Sequence, residues 1–131
     1  MFSAQALLQT AFRVRGHVHC TPVLSSTAIT SLTQANRLVF KCENFQKVGA
    51  FKFRGATNAI LSLSKDKLAL GVCTHSSGNH AAALSLAAKR LEVKAFIVMR
   101  GMLPRSKSTL SKNMEERFIS ANLHLLLENL H

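Results

Sequence analysis

Residues 71–99 read G-V-C-T-H-S-S-G-N-H-A-A-A-L-S-L-A-A-K-R-L-E-V-K-A-F-I-V-M, and this stretch decides the fold. Its middle part, Asn79 to Leu91, is dominated by alanine and leucine, which favour helix. Short segments flank that helix at Gly71 to Ser77 and at Lys94 to Met99, and each predicts a strand. The stretch therefore predicts a strand, a helix and a second strand.

The preceding residues continue the same alternation. Residues 37–43, R-L-V-F-K-C-E, contain a short apolar run that predicts a strand. From Phe51 to Ser64, apolar residues at helical spacing predict a helix: Phe53, Ala56, Ile60 and Leu63. Ser64 to Lys67 is expected to be a polar loop. Alternating strands and helices predict an α/β fold, here a partial Rossmann-like domain with a parallel sheet and right-handed crossovers.

Length and composition limit what the chain can be. Its 131 residues, 47% of them hydrophobic, allow one small globular domain. No run approaches the roughly 20 apolar residues of a membrane-spanning helix. Cys20, Cys42 and Cys73 are too few and too scattered for a disulfide framework or a C-x-x-C pair. We therefore expect a reducing, cytoplasmic setting, and we assign no metal ligands.

The first residues permit two interpretations. Residues 2–15 contain two arginines and no acid, as in a mitochondrial or plastid presequence. The same residues place Ala4, Leu7, Leu8 and Phe12 near helical spacing, which predicts an amphipathic first helix, and this is the interpretation we favour. Thr21-Pro22 then ends any helix and favours extended chain.

The formal net charge of +11 raises the question of nucleic acid or other anionic partners. The basic residues are dispersed, however, and without Tyr or Trp only Phe could stack on bases. We therefore expect neither nucleic acid nor a membrane as partner, but a general basic surface with some capacity to bind anions.

Two predicted loops follow strands and precede helices, where ligands bind in parallel α/β sheets. The second loop, Thr74 to His80, brings hydroxyl, amide and imidazole groups to the start of a helix whose free N–H groups suit a carboxylate or a phosphate. The alternative is a simple helix cap, because Ser and Asn are preferred at that position.

The first loop, Gln46 to Lys52, places a lysine at the start of a helix between Phe51 and Phe53. The helix dipole repels its charge, and flanking aromatic rings are expected to desolvate it. Both effects favour the neutral, nucleophilic amine, which can react with a carbonyl compound. The alternative is an ordinary surface lysine.

Taken in order and spacing, three segments resemble one enzyme family. The segments are H-V-H-C-T-P-V-L-S-S, F-K-C-E-N-F-Q-K-V-G-A-F-K-F-R-G-A and T-H-S-S-G-N-H. They resemble the serine racemase and threonine/serine dehydratase branch of the fold-type II pyridoxal-phosphate enzymes, from about Ala11 to Val98. The resemblance implies pyridoxal 5′-phosphate as cofactor and serine or threonine as substrate. It also implies Mg and ATP as effectors of the full-length relative, and a homodimer.

The resemblance implies a role for each matching residue. Lys52 matches the lysine that binds the cofactor covalently, Phe51 the residue beside its ring, and Asn79 the residue that hydrogen-bonds the ring 3′-oxygen. Ser77 matches the acid/base on the face opposite the lysine. The substrate carboxylate would be held by Ser76, Ser77, Asn79 and His80. A nucleotide effector would meet Ser26, Thr27 and Lys47.

Two features depart from the family pattern. Ala81 stands where the family usually has glycine, so its methyl group would crowd the cofactor or stiffen the helix. The likeness ends at Val98, and the family's glycine-rich phosphate loop and metal-binding carboxylates are expected beyond this chain. We therefore divide the chain into residues 1–98, the N-terminal part of the enzyme domain, and a divergent tail, 99–131.

The tail has two explanations. The codons of Asn113-Met114-Glu115-Glu116, read one base earlier, encode Tyr or His and then Gly, as the family typically has at this distance. A lost base near codon 99 or 100 would thus put the tail out of frame, which we favour. The alternative is a true helix, Leu110 to Leu130, with a leucine stripe.

Three functions follow from these features. The chain is a truncated racemase or dehydratase, a non-catalytic remnant or pseudogene product of one, or a small basic module that binds anions or nucleic acid. We expect no serine turnover by the 131-residue chain alone.

Overall fold

A computed structural model describes residues 3–33 and 35–98. The predicted out-of-frame tail and the alternative helix Leu110 to Leu130 both lie outside these residues. No helix in the described ranges is long and apolar enough to cross a membrane.

The chain begins with helix α1, Ala4–Val14, as the amphipathic pattern predicts. The Ser3 hydroxyl caps it by accepting a hydrogen bond from the Ala6 amide. The end of the helix packs against the rest of the protein. Val14 is buried there, and the Arg13 guanidinium donates to the side chains of Asn58 and Ser62. Its apolar residues Leu7, Leu8 and Phe12 are exposed.

The predicted first strand does not join the parallel sheet, which corrects the single-sheet expectation. Strand β2, Val39–Lys41, pairs antiparallel with β1, Val23–Ser25, so that Leu24 faces Phe40. Helix α2, Thr27–Leu32, connects them. The extended chain after Thr21-Pro22 supplies the partner strand. The Cys42 amide also donates to the Pro22 carbonyl, which adds one hydrogen bond beyond the paired residues.

The decisive stretch folds as predicted. Strand β3, Val72–His75, and strand β4, Ala95–Val98, are parallel neighbours, and helix α5, Asn79–Arg90, makes the crossover between them. Strand β3 begins after Gly71, whose φ of 87° lies in the left-handed region.

Helix α3, Lys52–Leu61, packs against α5, and their apolar faces form the core. The predicted stripe is confirmed in Phe53, Ala56 and Ile60, whereas Leu63 is half-buried beyond the helix end. The core residues are Phe53, Ala56, Ile60, Ala81, Ala83, Leu84, Ala87, Ala88 and Ile97.

The predicted loop at Ser64 to Lys67 is wrong. Residues Lys65–Leu70 form a short helix, α4, that follows Ser64 directly. Good helix formers occupy it, Asp66 lies in its first turn, and Leu68 packs on the core. Only one of its six residues packs on the core, so the sequence shows no periodic apolar pattern that would predict this helix.

Candidate functional site

The first loop folds into two short 3-10 turns, Glu43–Phe45 and Lys47–Gly49, before α3 begins at Lys52. Within the second turn Val48 has φ 58° and Gly49 φ 64°. A β-branched residue rarely adopts a positive φ, so this turn is strained. The strain lies four residues before the candidate nucleophile.

Lys52 is an exposed side chain at the first position of α3. Its ammonium lies 5.0 Å from the centre of the Phe51 ring, and within the described ranges it donates no hydrogen bond. The two aromatic neighbours do not enclose it as expected, because Phe53 turns into the core and Phe51 is 59% exposed. Within the described ranges, the amine is therefore available to a ligand without breaking a hydrogen bond.

The second loop lies at the carboxyl ends of β3 and β4, where the Ser76 amide donates to the Val98 carbonyl at 3.0 Å. The Ser76 hydroxyl accepts from the Gly78 amide at 3.3 Å, outside the helix. Ser77 and Asn79 are exposed, and His80 is half-buried.

The start of α5 has no side-chain cap. Its N-cap residue is Gly78, with no capping hydrogen bond, so the alternative of a Ser or Asn cap is wrong. The first-turn N–H groups of a helix have no partner within the helix. At α5 they remain available to an anion, and they carry the positive end of the helix dipole.

Both loops adjoin the core that α3 and α5 share. Phe53 follows Lys52 and Ala81 follows His80, and both are buried in the core that α3 and α5 share. The turn Lys47–Gly49 also packs against α5. The Ala81 methyl group thus fills the helix interface, which supports stiffening and packing rather than crowding of a ligand.

A polar cluster that the sequence did not reveal lies behind the first loop. The Arg54 guanidinium donates twice to the Glu43 carboxylate, at 2.8 Å each, and the Thr21 hydroxyl donates to it at 2.7 Å. The amide of Gln46, only 3% exposed, bonds the backbone of His19. No sequence pattern marks this cluster, because Glu43 and Gln46 precede the helix and Arg54 lies within α3.

This cluster predicts a dependence of stability on acid pH. The Arg54 hydrogen bonds, opposed by burial and helped by Thr21, lower the pKa of Glu43 from 4.5 to about 2. Because the folded-state pKa is depressed, the stabilisation is complete above about pH 4.5 and is lost as pH falls towards 2. We expect Glu43→Gln to lower the unfolding midpoint at pH 6 and to match the wild type near pH 2.

Urea unfolding between pH 2 and 6 measures this, with the exposed Glu92→Gln as control for the lost charge. A Glu43→Gln curve parallel to the wild type across that range would contradict the assignment.

The three predicted effector residues do not meet in one cavity. Ser26 and Thr27 line an open groove of about 550 Å³ together with Thr30 and Arg37. Lys47 is not in that lining, and its ammonium donates to the His17 carbonyl at 2.8 Å. Burial lowers the pKa of Lys47, and the charge of Arg90 adds to the effect. The joint effector site stays a prediction.

In residues 3–33 and 35–98, no three His, Cys, Asp or Glu side chains gather as metal ligands. The cysteines in these ranges are free thiols.

Known proteins match this chain along most of its length. The family described as pyridoxal-phosphate dependent enzyme matches residues 14–124. Serine racemase of Arabidopsis thaliana is 55% identical over 95 residues, which are 72% of this chain and 28% of that protein. The β-hydroxyaspartate dehydratase of Paracoccus denitrificans is 48% identical over 95 residues, 72% of this chain and 30% of that protein.

Solved structures agree with the sequence relatives. Maize serine racemase superimposes with a TM-score of 0.69 at 48% identity, covering 79% of this chain and 31% of that one. The processed threonine deaminase isoform 2 of Solanum lycopersicum gives 0.64 at 32% identity, covering 79% and 30%. The chain thus spans less than a third of the relatives it matches, and its division at residue 98 stays a prediction. The fold, the order of the motifs and these matches agree that the chain belongs to the pyridoxal-phosphate dependent enzyme family, as a fragment of the serine racemase and dehydratase type.

Proposed function

We propose that this chain carries the lysine-bearing part of the pyridoxal phosphate site of an enzyme that racemises serine or eliminates the β-hydroxyl of serine or threonine. The observation that carries the proposal is the exposed Lys52 amine, which donates no hydrogen bond in the described ranges, at the start of α3. The uncapped start of α5 belongs to the helix packed against it. The printed names of the relatives, serine racemase and dehydratases, support the same class of substrate.

The residues present fit the cofactor. Lys52 would hold it covalently, Phe51 would lie beside its ring, and Asn79 would hydrogen-bond the ring 3′-oxygen. The Lys52 amine and the Asn79 side chain are exposed, and the Ala81 methyl group is directed into the core, so nothing in these loops blocks the ring. When bound, the cofactor supplies an electron sink for the charge left when the α-proton departs.

The second loop would bind and orient the substrate. Hydroxyl and amide groups of Ser76, Ser77, Asn79 and His80, with the free N–H groups of α5, would hold the substrate carboxylate. Ser77 Oγ would carry a proton on one face of the substrate and Lys52 Nζ on the other. Two proton carriers on opposite faces permit racemisation, since one removes the α-proton and the other returns it.

The remaining assignments belong to the same proposal. We place the enzyme in the cytoplasm as a homodimer. ATP acts as an effector through Ser26, Thr27 and Lys47, and Mg is a further effector of the full-length enzyme. Neither nucleic acid nor a membrane is a partner. The groove beside Ser26 and Thr27 supports the effector part.

The experiment that tests the proposal adds pyridoxal phosphate to the 131-residue chain and records the visible spectrum. Borohydride then fixes the cofactor to its lysine, and peptide mass spectrometry locates it. We expect one dominant modified residue, Lys52. Equal modification of exposed lysines such as Lys65 and Lys89 would favour the non-catalytic remnant instead.

A further inference from the structure

We infer that Gln46 is a positioning residue for Lys52, because its buried amide fastens the strained turn before the lysine to the segment His17–Thr21, called here the N-terminal strap. The inference rests on the proposed function only where it concerns capture of the cofactor. The fastening itself is a property of the described residues.

The Gln46 amide makes three hydrogen bonds in a nearly closed environment. Its Oε1 accepts from the His19 amide at 2.9 Å and from the Lys47 amide at 3.1 Å. Its Nε2 donates to the His19 carbonyl at 2.9 Å. The residue is 3% exposed, so water cannot readily replace these bonds if they are lost.

The N-terminal strap is held to the loop by side chains. No backbone–backbone hydrogen bond of the described chain joins residues 19–21 to residues 43–47. Besides Gln46, the Lys47 ammonium donates to the His17 carbonyl at 2.8 Å and the Arg54 guanidinium to the His19 carbonyl at 3.1 Å. The Lys47 and Arg54 side chains bond only to the backbone of the strap. The Gln46 side chain bonds to the backbone of the strap and of the turn, because its Oε1 accepts from the amides of both His19 and Lys47.

The turn needs such a restraint. Val48 and Gly49 both have a positive φ, and a β-branched residue such as Val48 adopts it only under strain. The turn is closed by the Gly49 amide, which donates to the Gln46 carbonyl at 2.9 Å. On its far side Ala50 and Phe53 are buried, which fixes where α3 begins.

A strained turn fixed at both ends sets the direction in which the helix starts. Lys52 is the first residue of that helix, so the position of its amine follows from the turn. Without the Gln46 bonds the Lys47 and Arg54 side chains still contact the strap. The turn then loses its one side chain that bonds both backbones, so the strained turn is held less firmly. The amine would then sample more positions, and the helix pair itself would stay packed, because its core does not include Gln46.

The test compares three variants of the 131-residue chain. Gln46→Met keeps the size of the side chain and removes all three bonds. Gln46→Glu keeps the acceptor, loses the donation to the His19 carbonyl, and sets a charged carboxylate oxygen against that carbonyl in a buried site. Gln9→Met, on the exposed part of α1, is the matched control. The measurements are residue-level amide hydrogen exchange and the rate at which pyridoxal phosphate is fixed to Lys52.

We expect Gln46→Met to speed exchange at the Lys47, Gly49 and Phe53 amides about tenfold, while amides of Leu84 to Ala88 in α5 keep their wild-type rates. Capture of the cofactor at Lys52 should slow by a similar factor. Gln46→Glu should speed exchange at the same three amides and slow capture, because its buried carboxylate repels the His19 carbonyl oxygen. Gln9→Met should change neither.

Two results would overturn the inference. One is unchanged exchange at these three amides in Gln46→Met. The other is equal acceleration in α5, which would make Gln46 a general structural residue. Should Gln46→Met fail to fold, Gln46→Glu decides by the same local comparison. If the wild type captures no cofactor, the proposed function fails, and the exchange rates still decide whether Gln46 holds the turn.

Discussion

Lys52→Arg is expected to abolish covalent capture of pyridoxal phosphate by this chain. Arginine keeps the positive charge and most of the length, but its guanidinium stays protonated and does not act as an amine nucleophile. Lys52 donates no hydrogen bond in the described ranges and is exposed, so the substitution should leave folding intact. The visible absorbance and the borohydride-fixed adduct should both fall to background.

The matched control is Lys65→Arg. Lys65 is also exposed and is also the first residue of a helix, α4, so it shares the local setting of Lys52 without the neighbouring loops. Its replacement should leave capture unchanged. Retained capture in Lys52→Arg, with the adduct moved to another lysine, would show that the reactive position is not selected by the fold.

Gly71→Ala is expected to destabilise the chain by about 2–4 kcal/mol. Gly71 has φ 87°, and a Cβ there would lie 2.8 Å from the Lys94 carbonyl oxygen and 3.1 Å from the Phe96 ring. The same carbonyl accepts from the Val72 amide at 2.8 Å, at the start of the parallel pair. The methyl group therefore has to push apart the two strands that end at the second loop.

Gly55→Ala is the contrasting control. Gly55 lies inside α3, has no positive φ, and a Cβ there meets nothing within 4 Å. Alanine should stabilise the helix by about 0.5–1 kcal/mol. Urea unfolding at neutral pH measures both variants. Equal midpoints for Gly71→Ala and the wild type would mean that β3 and β4 do not pair as described.

The parallel pair and its crossover helix could be predicted because their signals are local. Asn79 to Arg90 is a long run of strong helix formers, and the strand after it, Ala95–Val98, is a continuous apolar segment. Strand β2 could be predicted from the apolar run in residues 37–43, but its antiparallel partner could not. Strand β1 is three residues long and exposed, without the alternation that marks a half-buried strand. Helix α4 was not predicted either, because it is too short to show a periodic apolar pattern.

The candidate site shows a similar division. Lys52 and Ser76 to His80 could be found from their places beside helix starts and from the resemblance. Their surroundings could not. The exposure of Phe51 depends on which way the turn at Val48 runs, and the pairing of Gln46 with His19 joins residues 27 apart in sequence. A single side chain that bonds a distant backbone leaves no periodic signal in the sequence.

The N-terminal strap also sets an order of events during folding. Helix α5 can form from neighbouring residues alone, on a timescale of about a microsecond. The hydrogen bonds between Gln46 and His19 require closure of a long loop. The entropic cost of that closure must be overcome before the bonds can stabilise the fold. The helices should therefore assemble first, and the reactive lysine should acquire its final placement late, when the beginning of the chain returns to dock.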